Sequence, residues 1–180
     1  PAATAINSVV ITFLVTTLEF SATQTGIFFI TTLVGAVIGT KISTFVTLKS
    51  NPKTSYECSM IFLLVNIVGG VFVVVELPSE FKELSYAWAT LVGMGIGWYY
   101  AIGDLFFSMC VPMGQEAEFS GLFMYCGQIL AWLIPLLFSM MVQYNIHQKY
   151  GVVAVGVGFA IALGCIMLAV PWEEIVEQTK

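Results

Sequence analysis

Carboxylates set in or beside apolar sequence are the residues of this chain best suited to chemistry. Glu19 and Asp104 lie in or at the edge of long oily runs, and Glu116 and Glu118 stand in the stretch Pro112–Phe123, PMGQEAEFSGLF, between two such runs. A carboxylate inside a membrane span costs a few kcal/mol by insertion scales, so it is a functional candidate by default. Glu19 and Asp104 are the candidates for proton coupling. Other chemistries find little material. The single histidine, His147, cannot assemble a metal site, and Cys58, Cys110, Cys126 and Cys165 are widely spaced, with no CxxC pair. These cysteines are expected to pack as small apolar residues. One histidine, one membrane aspartate and scattered serines supply no catalytic constellation. No enzyme activity, metal or cofactor is therefore expected. Six lysines and no arginine leave no basic patch for nucleic acid.

Polar side chains recur along the apolar runs at helical spacing. Thr4, Ser8, Thr12, Thr16 and Glu19 fall within about 120° of one helix face, with Asn7 beside them. Such a stripe either lines a watery cavity or bonds to its own backbone and to neighbouring helices. Tyr125, Gln128, Trp132, Pro135 and Ser139 also keep to one face. Trp98, Tyr99 and Trp132 lie near mid-depth, where their N–H and O–H groups need partners from a substrate cavity or a neighbouring helix. Tyr100, Asp104 and Ser108 share a face. Asp104 lies roughly 10 Å from the end of its run at 1.5 Å per residue, and Lys41 lies near the corresponding end of an earlier run. The two are expected either to form an ion pair or to snorkel separately to water.

The elements that carry these residues follow from composition. The chain has 180 residues, 58% of them hydrophobic and 9% charged, with a mean hydropathy of +0.93. Soluble domains carry about 25% charged residues, so this chain reads as an integral membrane protein. Six segments are apolar enough to span a bilayer: about 2–20, 26–46, 56–77, 86–111, 122–142 and 152–170. An all-α membrane protein with short antiparallel connections follows. The continuous apolar runs exclude an alternating β-barrel. With a cytosolic N-terminus, Lys41, Lys49, Lys53 and Lys180 fall inside and Lys82 and Lys149 outside. Small residues at four-residue spacing, Gly35 and Gly39, Ala89 to Ala101 through Gly93 and Gly97, and Gly156, Ala160 and Gly164, read as helix-packing seams. The opening at Pro1, without a signal-peptide pattern, reads as a fragment of a longer protein.

From the end of the fourth segment into the fifth the chain reads VPMGQEAEFSGLFMYCGQILAWLIPLLF. This resembles a signature of the autophagy-related vacuole effluxer family, a branch of the major facilitator superfamily. The matching residues are Pro112, Gly114, Glu116, Ala117, Glu118, Phe119, Gly121, Trp132, Pro135 and Leu136. The resemblance implies one half of a twelve-helix major facilitator bundle, the C-terminal six helices, with an N-terminal half of the same chain as its partner. It implies a multi-pass transporter of the vacuole or another endomembrane, which in fungi exports amino acids after autophagic breakdown. Against the family pattern, Ser120 replaces an aromatic, Ile134 a glycine, Asp104 an arginine and Thr4 an acidic residue. The charged gating motif between the second and third segments is reduced to a lysine-bearing loop around GTKISTFVTLKSNPKTS.

Within this frame Pro112 ends the fourth segment, Gly114 and Gly121 permit a tight turn, and Glu116 and Glu118 sit just before the fifth, where the helix dipole favours negative charge. This is either a capped turn or a gating latch to the loop around Lys49 and Lys53 or to the missing half. Residues 7, 8, 12, 16, 99, 100, 125, 128 and 132 are the expected solute pathway. Glu19, Lys41, Asp104, Glu116 and Glu118 are expected in coupling or gating. Competing readings are a transport-inactive scaffold or solute sensor, and a channel or receptor. Neither a repeated filter loop nor a seventh span is present to support the last.

Overall fold

The computed structural model describes residues 20–76, 84–111, 114–129, 132, 136, 139–141, 143–144 and 149–168. The segment 2–20, with Asn7, Ser8, Thr12, Thr16 and Glu19, lies outside the described residues apart from Phe20. Five helices follow in order: α1 Ala22–Lys49, α2 Pro52–Glu76, α3 Leu84–Cys110, α4 Glu116–Ile129 and α5 Lys149–Met167. No strand occurs among the described residues. By length and hydropathy α1 alone among the described helices qualifies as a membrane span, and Gly156–Met167 is a shorter apolar helix.

Local sequence explains the ends. Ser21 caps α1: its hydroxyl accepts from the Gln24 N–H (3.4 Å), and the Gln24 side-chain oxygen accepts from the Ser21 N–H (2.9 Å). This reciprocal pair starts α1 four residues before the apolar run expected from 26. The Ser50 N–H closes its end on the Val46 carbonyl. Asn51 then caps α2 by accepting from the Thr54 N–H (2.8 Å), and Pro52 takes the first helical position, where no N–H is needed. Helix α3 ends at Cys110, two residues before Pro112.

Helix α4 departs from expectation. It begins at Glu116, six residues before the expected start at 122, because Glu116 and Glu118 form its first turn instead of preceding it. Gly121 is consequently a helical residue and not part of the turn. Gly114 alone supplies the left-handed backbone there, at φ 89°. Beyond 129, the Leu136 N–H bonds the Trp132 carbonyl (3.1 Å) and the Tyr144 N–H the Met140 carbonyl (3.0 Å).

Helices α1 and α3 pack most intimately, through the glycine seam. A Cβ added to Gly93 would come 2.8 Å from the Thr32 carbonyl carbon, and one on Gly97 2.7 Å from the Ala36 backbone. Gly35 and Gly39 abut the backbones of Thr90 and Met94 in return. The paired positions rise together, so α1 and α3 are parallel. Helix α2 runs antiparallel to α3, with Trp88 donating to the Asn66 carbonyl (2.9 Å) and Trp98 to the Ser55 hydroxyl (3.1 Å). Met60, Leu63, Ile67, Trp88, Val92 and Phe159 fill the shared core. Between membrane helices such contacts act through close packing and hydrogen bonding more than through the hydrophobic effect. The sixth segment's seam is used only in part. Gly156 lies against Val68, whereas Gly164 has nothing within 4 Å and Ala160 is exposed.

Candidate functional site

Two regions gather the residues singled out by sequence. The first is the bundle end where α1 meets α2 and α3 meets α4. Parallel α1 and α3 bring both connections to the same end, so Lys49 and Lys53 share it with Glu116 and Glu118. In this structure each basic group has a neighbour of its own. The Lys49 ammonium stands 4.3 Å from the centre of the Phe45 ring, and Lys53 lies 3.9 Å from the Glu57 carboxylate one turn on. Glu116 accepts from the Gly114 N–H (3.0 Å). That bond, followed by its own backbone N–H, holds its carboxyl below the usual glutamate value. The Phe119 N–H bonds the Gln115 carbonyl (3.1 Å), closing the first turn of α4. The stretch is thus a hydrogen-bonded turn with acidic residues at a helix start, where the dipole favours them.

The second region is the set of faces left open on α3 and α4. Tyr100, Asp104 and Ser108 are exposed along α3. On α4 Tyr125 is 63% exposed, and beyond it Trp132 is 60% exposed. The Gln128 side chain lies outside the described part. A stack of Phe107 on Phe123, 4.3 Å between ring centres, joins the two helices. Tyr99 departs from this open set. Its ring packs on Tyr56 (5.3 Å), Tyr100 (5.6 Å) and Phe159 (5.7 Å), so it supports the neighbouring Tyr100 from the protein side.

Lys41 and Asp104 do not pair, although both are described. Thr32 faces Gly93 and Ala36 faces Gly97, which brings Ser43 level with Asp104 and Lys41 within one turn of it. Depth therefore agrees and direction does not. At about 100° per residue Asp104 continues the Gly93–Gly97 line that faces α1, while Lys41 lies about 160° round α1 from Gly39. Both side chains are exposed.

Sequence reasoning missed a buried hydroxyl cluster. Ser55 is fully buried and accepts from Trp98 and from Thr47 (3.1 Å each), while the Thr47 hydroxyl also lies 2.7 Å from the Ser43 carbonyl. Ser43 and Ser59 are buried beside them. This cluster ties α1, α2 and α3 together near the lysine-bearing loop. The signal was present: Ser43 with Thr47 and Ser55 with Ser59 both repeat at four residues, and Trp98 needed an acceptor. That acceptor is a neighbouring helix and not a cavity. Among the described residues no group of histidine, cysteine or acidic side chains could hold a metal.

A family model described as vacuole effluxer Atg22 like matches residues 2–178. Autophagy-related protein 22 of the yeast Vanderwaltozyma polyspora is 26% identical over 177 residues, covering 93% of this chain and 32% of that protein. The chain therefore spans about a third of the length of the curated relative it matches. No solved structure matches.

Proposed function

The chain belongs to the Atg22-like vacuole effluxer family, and from that membership we propose that it is the C-terminal six-helix half of a twelve-helix secondary transporter. It moves a small polar solute, with amino acids as the class, out of a vacuole-like compartment by alternating access. The observation that carries the reading is the family match from residue 2 to residue 178. The open faces support it. Tyr100 and Asp104 on α3, with Tyr125, Gln128 and Trp132 on and beyond α4, form the wall of the solute path together with Asn7, Ser8, Thr12 and Thr16. The rest of the parent chain supplies the opposite wall. Asp104 and Glu19 are the groups that couple solute movement to protons.

Glu116 and Glu118 act as a state-dependent latch in this proposal. Their position at the same bundle end as Lys49 and Lys53 supports it. The exposed carboxylates form the contact in one access state, with these lysines or with cations of the missing half, and rocking of one half against the other breaks it.

The test uses the full-length parent chain in liposomes loaded with labelled neutral and basic amino acids. Efflux by the unaltered protein and its loss in a Trp132→Ala/Gln128→Ala double variant are expected. Neutralising both glutamates changes rate more than substrate affinity. Folded protein without efflux under any pH gradient would reject these cargoes and favour the scaffold reading.

A further inference from the structure

Helix α1 has two unlike faces. Gly35, Gly39 and Ser43 are buried toward the rest of the bundle. On the opposite side Ile30, Val34 and Val37 are 54–64% exposed and Leu48 is 82% exposed. Lys41 lies in the middle of this apolar face, about 20° from the line through Ile30 and Leu48. Lys49 stands at the helix end, roughly 12 Å further along the axis at 1.5 Å per residue. Lys41 forms no ion pair with any described residue, and α1 contains no aspartate or glutamate.

We infer that this outward face of α1 is a docking site for an anionic phospholipid, its headgroup held between Lys41 and Lys49 and an acyl chain lying along Val37, Val34 and Ile30. The inference rests on the membrane-spanning reading of α1. Three observations favour a lipid over another protein helix. Membrane helices approach one another through small residues, and the small residues of α1 nearest Lys41, Gly35, Gly39 and Ser43, are buried on the opposite face. The exposed hydrophobic groups around Lys41, Val37, Ile38, Phe45 and Leu48, are large. The two threonines beside them, Thr40 and Thr44, turn their hydroxyls back onto the Val37 and Thr40 carbonyls (2.8 and 3.1 Å), which leaves methyl groups outward. The anionic requirement follows from charge. A lysine this deep must extend toward the interface or draw an anion down to it, and two ammonium groups without a carboxylate on the helix select a net negative headgroup. The net charge of the chain is -5, so the attraction belongs to this face and not to the molecule as a whole.

The full-length parent protein, purified in mixed micelles of phosphatidylcholine and phosphatidylserine, tests this by native mass spectrometry of the retained lipid. The unaltered protein retains phosphatidylserine in preference, and Lys41→Gln lowers that preference roughly fivefold. Lys49→Gln lowers it to a similar degree, and Lys41→Arg keeps it. Equal retention of both lipids, or a preference unchanged in both glutamine variants, overturns the inference. So does a Lys41→Gln protein that is destabilised equally in phosphatidylcholine alone, because Lys41 then pairs with a carboxylate of the remaining chain. A parent protein that alkaline washing strips from membranes defeats the spanning reading itself, which is a separate failure from loss of lipid preference.

Discussion

Replacing Gly97 by alanine tests the close backbone approach of α1 and α3. The new methyl would stand against the Ala36 carbonyl oxygen and 2.7 Å from the Ala36 carbonyl carbon and Cα, where carbon atoms rest at about 3.5–4.0 Å. The opposing atoms are main chain, so no side-chain rotation relieves the overlap, and α1 and α3 must part by about 1 Å. Overpacking of this kind costs ~1–3 kcal/mol, offset by the ~1 kcal/mol that alanine gains over glycine in a helix. A net loss of up to about 2 kcal/mol is expected. Gly156→Ala should be milder, because the methyl it meets at 2.7 Å belongs to the Val68 side chain. Gly164→Ala, with nothing within 4 Å, should be neutral or stabilising. The assay is detergent-titrated unfolding of the full-length parent with each substitution. Equal stability of the Gly97 and Gly164 variants would refute the close approach. Rescue of Gly97→Ala by Ala36→Gly would also refute it, since the overlap described here involves the Ala36 backbone and not its methyl.

Two further outcomes follow from particular bonds. Ser55→Ala removes the acceptor of the Trp98 N–H and should cost ~1–3 kcal/mol in the same titration; a loss below a few tenths would mean that the indole finds another acceptor. The turn before α4 should weaken in acid. The folded value of Glu116 lies below its ordinary 4.5, so its charged form stabilises the turn fully above that value, and the contribution is lost as pH falls through the lowered one. Protection of the Gly114 amide against exchange, followed through the acid range, should fall in step, and Glu116→Gln should flatten the profile. A profile identical in both proteins would remove Glu116 from the account.

Helices α1 to α3 overlie the apolar runs that hydropathy marked at 26–46, 56–77 and 86–111, with ends shifted by up to four residues. Starts were the weaker part. The Ser21–Gln24 box and the acidic first turn of α4 build helix from polar residues that an apolar count passes over. Glycine spacing identified the seam of α1 and α3, yet the same spacing in α5 meets open space at Gly164, because spacing says that a helix can be approached and not which neighbour comes. Trp98 declared its need for an acceptor, but only the antiparallel register of α2 against α3 brings Ser55 to it. For Lys41 and Asp104, residue counts gave the depth. Their separation depends on which face of α1 packs, and that is a property of the assembled helices.

The seam also orders events during synthesis. Helix α1 is made before α2 and α3 and capped by its own neighbours, yet the backbone it fits so closely belongs to α3, with all of α2 between them. Gly35 and Gly39 therefore wait without their match until Thr90 and Met94 have left the ribosome, and the α1–α2 hairpin must stay in or beside the insertion machinery through that interval. A chain stalled before Gly93 would present a naked glycine groove to whatever helix is nearby, its own or a stranger's. Quality control of this membrane protein thus has a window set by the length of α2 and the connection after it.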